Sequence, residues 1–516
     1  MFIAGCSRFE SPPRYDDALQ VATSSGIAQG RLRDTGAVYV TEWLDIPYAA
    51  PPVAELRWRA PRPVATSDGL IVGSKDTACV QEASNYGGVA GDGMVGSEDC
   101  LYLDIRAPKE PTSKRRPVMF WIHGGGNVSG VKDYYDFSRL VASQDVIVVT
   151  VNYRLGPLGW FTHPAIQGLQ EGLDKTSNFG TLDIIEALRW VQNNISRFGG
   201  DPKNVTIFGE SAGGHNVLAL LASPLSDGLF HRAITQSGYL TSASLTSALN
   251  RDGSDLMILR GAWQMVDELL AGDETLTEPK PQSAWQLPML RNKLLSVGAR
   301  DFFQLYTKNN ERNYIPLTTA DGLVIPLEGL RSALGNSAYA KHVPVIAGSN
   351  RDELTLWLGL HRYFMSTSYP FTRFLPPIVK VKDPELYRFW VETRSHAWKL
   401  RGVDDALDAL DLAGYKDLFA YRFDWDDQKA SLFADFPTFM GAAHGVDIAF
   451  LTGDYKFGPI SGYIYPPGEE RDQMQQTMMS AWSDFARSAD PSVRLAHRWL
   501  RYTRDDRYFL RLDKDQ

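Results

Sequence analysis

Four short apolar runs, at 118–122, 146–153, 205–208 and 344–347, each sit between turn-forming residues and predict buried strands. A fifth run at 419–423 alternates and predicts a strand nearer an edge. Between the second and third runs, Ile184, Leu188, Val191 and Ile195 fall on one face at helical spacing, so 181–195 predicts a helix. Gly199-Gly200-Asp201-Pro202 ends that helix and turns the chain toward the next strand. Strand, helix, strand at this spacing is a crossover unit, which makes the core sheet mostly parallel and the fold class α/β. Short alternating segments in the first hundred residues, such as 37–41, predict a small antiparallel sheet at the edge. Residues 240–340 and 355–415 lack a comparable strand signal and carry amphipathic stretches. They are expected to be helical insertions walling a cleft. The expected organisation is a flexible tail at 1–18 followed by one catalytic domain at 19–516.

Bulk properties remove several function classes. The chain has 516 residues, 44% hydrophobic and 22% charged, with a net charge of −8 and no long run of one sign. Basic patches that would engage nucleic acid are missing, and no apolar stretch reaches transmembrane length. Ile3-Ala4-Gly5-Cys6, followed by a polar segment at 7–17, has the form of a lipoprotein cleavage box, so Cys6 is a candidate lipid anchor; a frayed terminus with a chance cysteine is the alternative. The other cysteines, Cys79 and Cys100, have twenty residues between them. A bridge there would contribute roughly 3 kcal/mol by restricting the unfolded chain, and two buried thiols are the other possibility. A bridge implies an oxidising compartment. Export, whether secreted, periplasmic or lipid-anchored, is therefore favoured over a cytoplasmic location.

The chemistry concentrates where the 205–208 strand runs into Gly209-Glu210-Ser211-Ala212-Gly213-Gly214 and out into an apolar helix, 215–222. A nucleophilic serine on a tight strand-to-helix turn exposes its hydroxyl above the sheet, and side chains at the flanking glycines would clash. The helix N-terminus aims backbone N–H groups at developing negative charge. Upstream, Trp121-Ile122-His123-Gly124-Gly125-Gly126-Asn127 follows a strand, the place for the other half of an oxyanion hole. An activated serine needs a histidine, and that histidine needs a carboxylate, in the chain order Ser, acid, His. Of the later histidines, His444 stands among small residues in Gly441-Ala442-Ala443-His444-Gly445, suited to a crowded loop. His231 is too close to Ser211 to leave room for the acid, and His361, His396 and His497 read as surface or packing residues. Past the 344–347 strand, Asp352 and Glu353 are both candidate acids, and spacing does not choose between them.

These pieces together resemble the type-B carboxylesterases, a family of α/β-hydrolase fold that also holds cholinesterases and para-nitrobenzyl esterases. The resemblance runs from about residue 20 to the end. It is carried by Asp45-Ile46-Pro47-Tyr48-Ala49, Ser97-Glu98-Asp99-Cys100-Leu101-Tyr102-Leu103, the triple glycine, Asn152-Tyr153-Arg154-Leu155-Gly156, the Gly-Glu-Ser-Ala-Gly-Gly turn, and Phe485-Ala486-Arg487 with Asp490-Pro491. It implies oxyanion donors at Gly125, Gly126 and Ala212, and Glu353 rather than Asp352 as the acid. It also implies His444 as the base, Ser237 as a supporting serine, Glu210 as a carboxylate near the histidine, and a Cys79–Cys100 disulfide. The activity it implies is hydrolysis of small to medium uncharged esters through an acyl-enzyme, with no cofactor and no metal. A lipase or amidase using the same triad, and a non-catalytic adhesion protein on the same fold, are the alternatives. Two departures bear on specificity. No tryptophan lies between Gln81 and Asp99, where cholinesterases hold a quaternary ammonium, so cholinesterase activity is not expected. Asn127 stands where an aromatic residue is usual after the glycines, which implies a roomier or more polar acyl pocket.

Overall fold

The computed structural model describes residues 15–514, save 37, 66–68, 74–76, 86, 111, 251–259, 272–286, 308–314, 316, 370–376 and 457–459. The candidate anchor at Cys6 lies outside these. Among the described residues eleven strands run through one sheet: β1 (Tyr15–Thr23), β2 (Gly26–Asp34), β3 (Tyr39–Pro47), β4 (Tyr102–Pro108), β5 (Arg116–Ile122), β6 (Ile147–Val151), β7 (Gly200–Glu210), β8 (Arg232–Gln236), β9 (Val345–Asn350), β10 (Leu418–Phe423) and β11 (Leu510–Leu512). Their order is β1-β2-β3-β4-β6-β5-β7-β8-β9-β10-β11, with the two-residue strand Leu70–Ile71 beside β2 as a twelfth. From β6 through β11 every pairing is parallel. The N-terminal strands are antiparallel, as expected, and extend the edge of this same sheet.

Both faces of the parallel part are covered, which is why its strands read as unbroken apolar runs. Along β5, Val118, Phe120 and Ile122 enter one core cluster while Met119 and Trp121 enter the other. The alternation is present in space and invisible in hydropathy, because each face is equally dry. Helix α1 (Phe179–Asn194) packs Ile184, Leu188 and Val191 into the first cluster. On the opposite face α4 (Glu469–Ser488) supplies Met474, Met478, Trp482 and Phe485. Between them in chain order come α2 (Ala212–Ala222), fully buried behind β7, and α3 (Pro384–Lys399).

The described residues of 240–340 and 355–415 are mainly helical, with two small strand pairs among them, Ala243–Ser244 with Thr319–Ala320 and Met365–Ser368 with Ile378–Val381. Two strands, β4 and β8, carry no apolar run. Several of their polar residues are buried instead. Asp104 and Arg106 of β4 lie in a network with Lys132 and Glu42, where Lys132 Nζ is 2.9 Å from Asp104 and 2.6 Å from Asp45. Among the described residues no helix is long and apolar enough to cross a membrane.

Candidate active site

Only Ser211 separates the end of β7 from the start of α2, and the chain reverses there at φ 58° and ψ −119°. That conformation is costly for a side-chain-bearing residue and persists only where the surroundings over-determine it. Here they do. The Ser211 N–H donates to the Gln236 carbonyl at 2.9 Å, and its own carbonyl accepts from His215 N–H at 2.9 Å. A Cβ on Gly213 would collide with the Ile122 carbonyl at the end of β5, so the turn can press against the sheet only with glycine there. Ser211 opens on a cavity of about 550 Å3, which Gly124, Gly125 and Gly126 also line. From the 355–415 segment Leu356, Trp357 and Trp398 reach this cavity; the 240–340 segment supplies none of its described lining.

His444 lies on the same cavity, brought there by the 441–447 loop, and is buried. Its Nδ1 meets Glu353 Oε2. The other carboxylate oxygen of Glu353 accepts from Ser237 Oγ at 2.6 Å and from the Asn350 N–H at 2.8 Å. The neighbouring Asp352 faces elsewhere: it accepts from Arg351 Nη2 at 2.7 Å and from the Ala442 N–H at 3.0 Å. Of the two carboxylates left open by spacing, Glu353 is the one against the imidazole. His342, His361, His396 and His497 are exposed.

A second carboxylate faces the ring. Glu210 Oε1 is 3.0 Å from His444 Nε2, an ion-pair approach not aligned as a hydrogen bond. Burial lowers the imidazole's affinity for a proton, but the charges of Glu210 and Glu353 outweigh it and raise His444 from 6.5 to about 9. Burial in turn pushes Glu210 up to about 8; the histidine's charge opposes that rise and Asp447 adds to it. Asp447 is a buried residue that sequence reasoning passed over. Its carboxylate accepts from Gln236 Nε2 at 2.7 Å and Asn350 Nδ2 at 3.1 Å. The available signal was its position three residues beyond His444, at the start of a helical turn.

Gly125 and Gly126 both have positive φ, 94° and 65°, and among the described residues their N–H groups and that of Ala212 make no hydrogen bond. An N–H at the first position of a helix has no partner within the helix. Two uncommitted donors thus line the cavity, and the third, on Ala212, directly follows Ser211. Asn127 is fully buried, absent from the cavity lining, and bonded to Asn216 and Tyr153. Its polarity is therefore spent beneath the loop, contrary to a more polar acyl pocket. Cys79 and Cys100 are joined as a disulfide. Two residues on, Gln81 accepts from the Gly130 N–H and donates to the Gly130 carbonyl, both at 2.9 Å, tying the bridge to the glycine loop. Among the described residues no group of three or more His, Cys, Asp or Glu is arranged to hold a metal ion.

The profile of the Carboxylesterase family matches residues 17–368 and 400–516. The chain belongs to that family. It is 32% identical over 500 residues to the para-nitrobenzyl esterase of Bacillus subtilis (strain 168), covering 94% of each chain. To human carboxylesterase 3 it is 30% identical over 527 residues, covering 95% of this chain and 86% of that one. A fumonisin B1 esterase of Sphingopyxis macrogoltabida is 39% identical over 358 residues, 68% of this chain and 59% of its own. Among solved structures, a thermophilic PNB esterase superposes with a TM-score of 0.73 at 28% identity, covering 96% of both chains. The protein is a carboxylesterase on the α/β-hydrolase fold, and its substrates are small-molecule carboxylic esters.

Proposed function

We propose that this carboxylesterase works through a Ser211–His444–Glu353 triad and an acyl-enzyme. One observation carries the reading: His444 bonds the buried, fully hydrogen-bonded Glu353 through Nδ1 while its ring lines the cavity that Ser211 opens on. The carboxylate fixes the tautomer with Nε2 free to take a proton and stabilises the imidazolium once formed. Ser211 Oγ attacks the ester carbonyl carbon and its proton passes to His444 Nε2. The carbonyl oxygen becomes an oxyanion that accepts from the N–H groups of Gly125, Gly126 and Ala212. Collapse expels the alcohol, which leaves with the proton from Nε2. Water then attacks the acyl-enzyme with His444 again taking the proton, and the acid departs as Ser211 is regenerated.

A cavity of about 550 Å3, with Trp357, Trp398, Tyr239 and Leu356 on its walls, supports small to medium uncharged esters. Ser211→Ala is expected to abolish hydrolysis of p-nitrophenyl acetate and butyrate with the circular-dichroism spectrum unchanged. A fluorophosphonate reagent is expected to add its mass to the Ser211 peptide alone. Near-wild-type activity in the variant refutes the assignment.

A further inference from the structure

The two proposed halves of the oxyanion hole come from separate elements, the 124–127 loop and the N-terminus of α2. Donors on separate elements stabilise one oxygen only if those elements keep a fixed register. A displacement of 1 Å can cost about 10²-fold in rate. Directly behind the donors, a buried polar knot joins the two. Asn216, on the second turn of α2, donates from Nδ2 to Asn127 Oδ1 at 2.9 Å, and Asn127 Nδ2 donates back to Asn216 Oδ1 at 3.4 Å. Asn127 is the residue after Gly126, in a left-handed conformation with φ 58° that asparagine tolerates better than most side chains. The Tyr153 hydroxyl lies 2.8 Å from the His123 carbonyl and 3.2 Å from Asn127 Oδ1, and its ring stacks on His123 with centroids 4.4 Å apart. The Gly156 N–H caps the arrangement, donating to the Asn127 carbonyl at 2.7 Å. None of the four side chains is more than 1% exposed.

Buried amides are costly when unpaired, and these two satisfy each other in one relative placement of loop and helix. We infer that Asn127 and Asn216 are positioning residues: their reciprocal amide pair locks the glycine loop to the nucleophile helix, so that donors from both converge on one oxygen. The inference rests on Gly125, Gly126 and Ala212 being the oxyanion donors.

Asn127→Gly keeps the left-handed backbone and deletes only the amide; Asn216→Ala deletes its partner, and Asn216→Ser replaces it if the alanine variant does not accumulate folded. Rates are taken per active site, titrated by the p-nitrophenol burst, well below each variant's unfolding midpoint, so that lost stability alone does not enter. Each single variant is expected to lower kcat by about 10- to 100-fold with KM within about twofold. Affinity for a trifluoromethyl ketone, whose adduct carries an oxyanion, is expected to fall in proportion. The double variant is expected to be no worse than the poorer single, as for two parts of one device. Singles with kcat and ketone affinity within twofold of wild type, or losses that multiply in the double variant, overturn the inference. Failure of the donor reading itself is distinguishable: Ala212→Pro, which removes one proposed donor at a first helical position that takes proline, would then leave kcat and ketone affinity within twofold of wild type.

Discussion

Replacing Glu210 by glutamine keeps the side chain's length and its place in the cavity wall, and deletes one of the two carboxylates facing His444. In the wild type burial pulls the imidazole down, while the charge of Glu210, the charge and hydrogen bond of Glu353 and the charge of Asp447 raise it to about 9. Removing the Glu210 charge takes away the largest single raising contribution, so the ring is expected to titrate lower, by about one pH unit. The sign follows from the role. A general base works unprotonated, so kcat/KM climbs with pH through the pKa of the free-enzyme histidine. In the wild type this limb should lie well above the ordinary histidine range, and in Glu210→Gln it should move toward pH 7. Because Glu210 is itself raised to about 8 beside the ring, the wild-type limb belongs to the pair and is expected to be broad, while the variant's should follow a single group. The assay is kcat/KM for p-nitrophenyl butyrate from pH 5 to 9.5 at constant ionic strength, corrected for spontaneous hydrolysis. The plateau is expected to fall, since Glu210 also steadies the imidazolium that forms during attack; the plateau is read separately from the midpoint. A limb that stays within 0.3 pH units of wild type, or moves upward, refutes the electrostatic role given to Glu210.

Two further substitutions probe the carboxylate and the bridge. Glu353→Gln should lower kcat by about 10³- to 10⁴-fold, as loss of a tautomer-fixing carboxylate does in this chemistry. Asp352→Asn, which touches Arg351 and the Ala442 amide, should cost less than about tenfold; stopped-flow or steady-state rates on the two side by side would expose a reversed order. Replacing Cys79 and Cys100 with serine together should cost roughly 2–4 kcal/mol, because the bridge closes a loop with a sequence separation of 21. Guanidinium unfolding with and without reductant measures this, and an unchanged midpoint in the double variant would contradict the loop argument.

The parts of the fold that were legible in sequence are those where one physical effect dominates. β5, β6, β7 and β9 lie between two dry faces, so burial alone selected their residues. The nucleophile turn was legible because sterics leave only glycine at Gly213, against the Ile122 carbonyl. Choosing Glu353 over Asp352 needed resemblance or coordinates, since adjacent carboxylates on a turn differ in direction and not in spacing. β4 and β8 are not apparent from hydropathy, because polar residues such as Asp104 and Gln236 are buried in them against partners distant in sequence. No local pattern announces a partner 211 residues away, which is how far Gln236 reaches to Asp447.

The residues that hid β8 are also the ones that hold the site. Gln236 accepts from Trp482 Nε1 at 3.1 Å and donates to Asp447, so its side chain is fixed from both ends, and its carbonyl takes the Ser211 N–H. Its successor Ser237 turns at φ 50° and donates to Glu353. An apolar residue at 236 would have made the strand easy to see and would have left Asp447 without one of its two amide donors, beside an imidazole whose charge depends on the carboxylates around it. Among the strands that carry this site, a polar position is hard to read from sequence because it was selected for a partner across the fold.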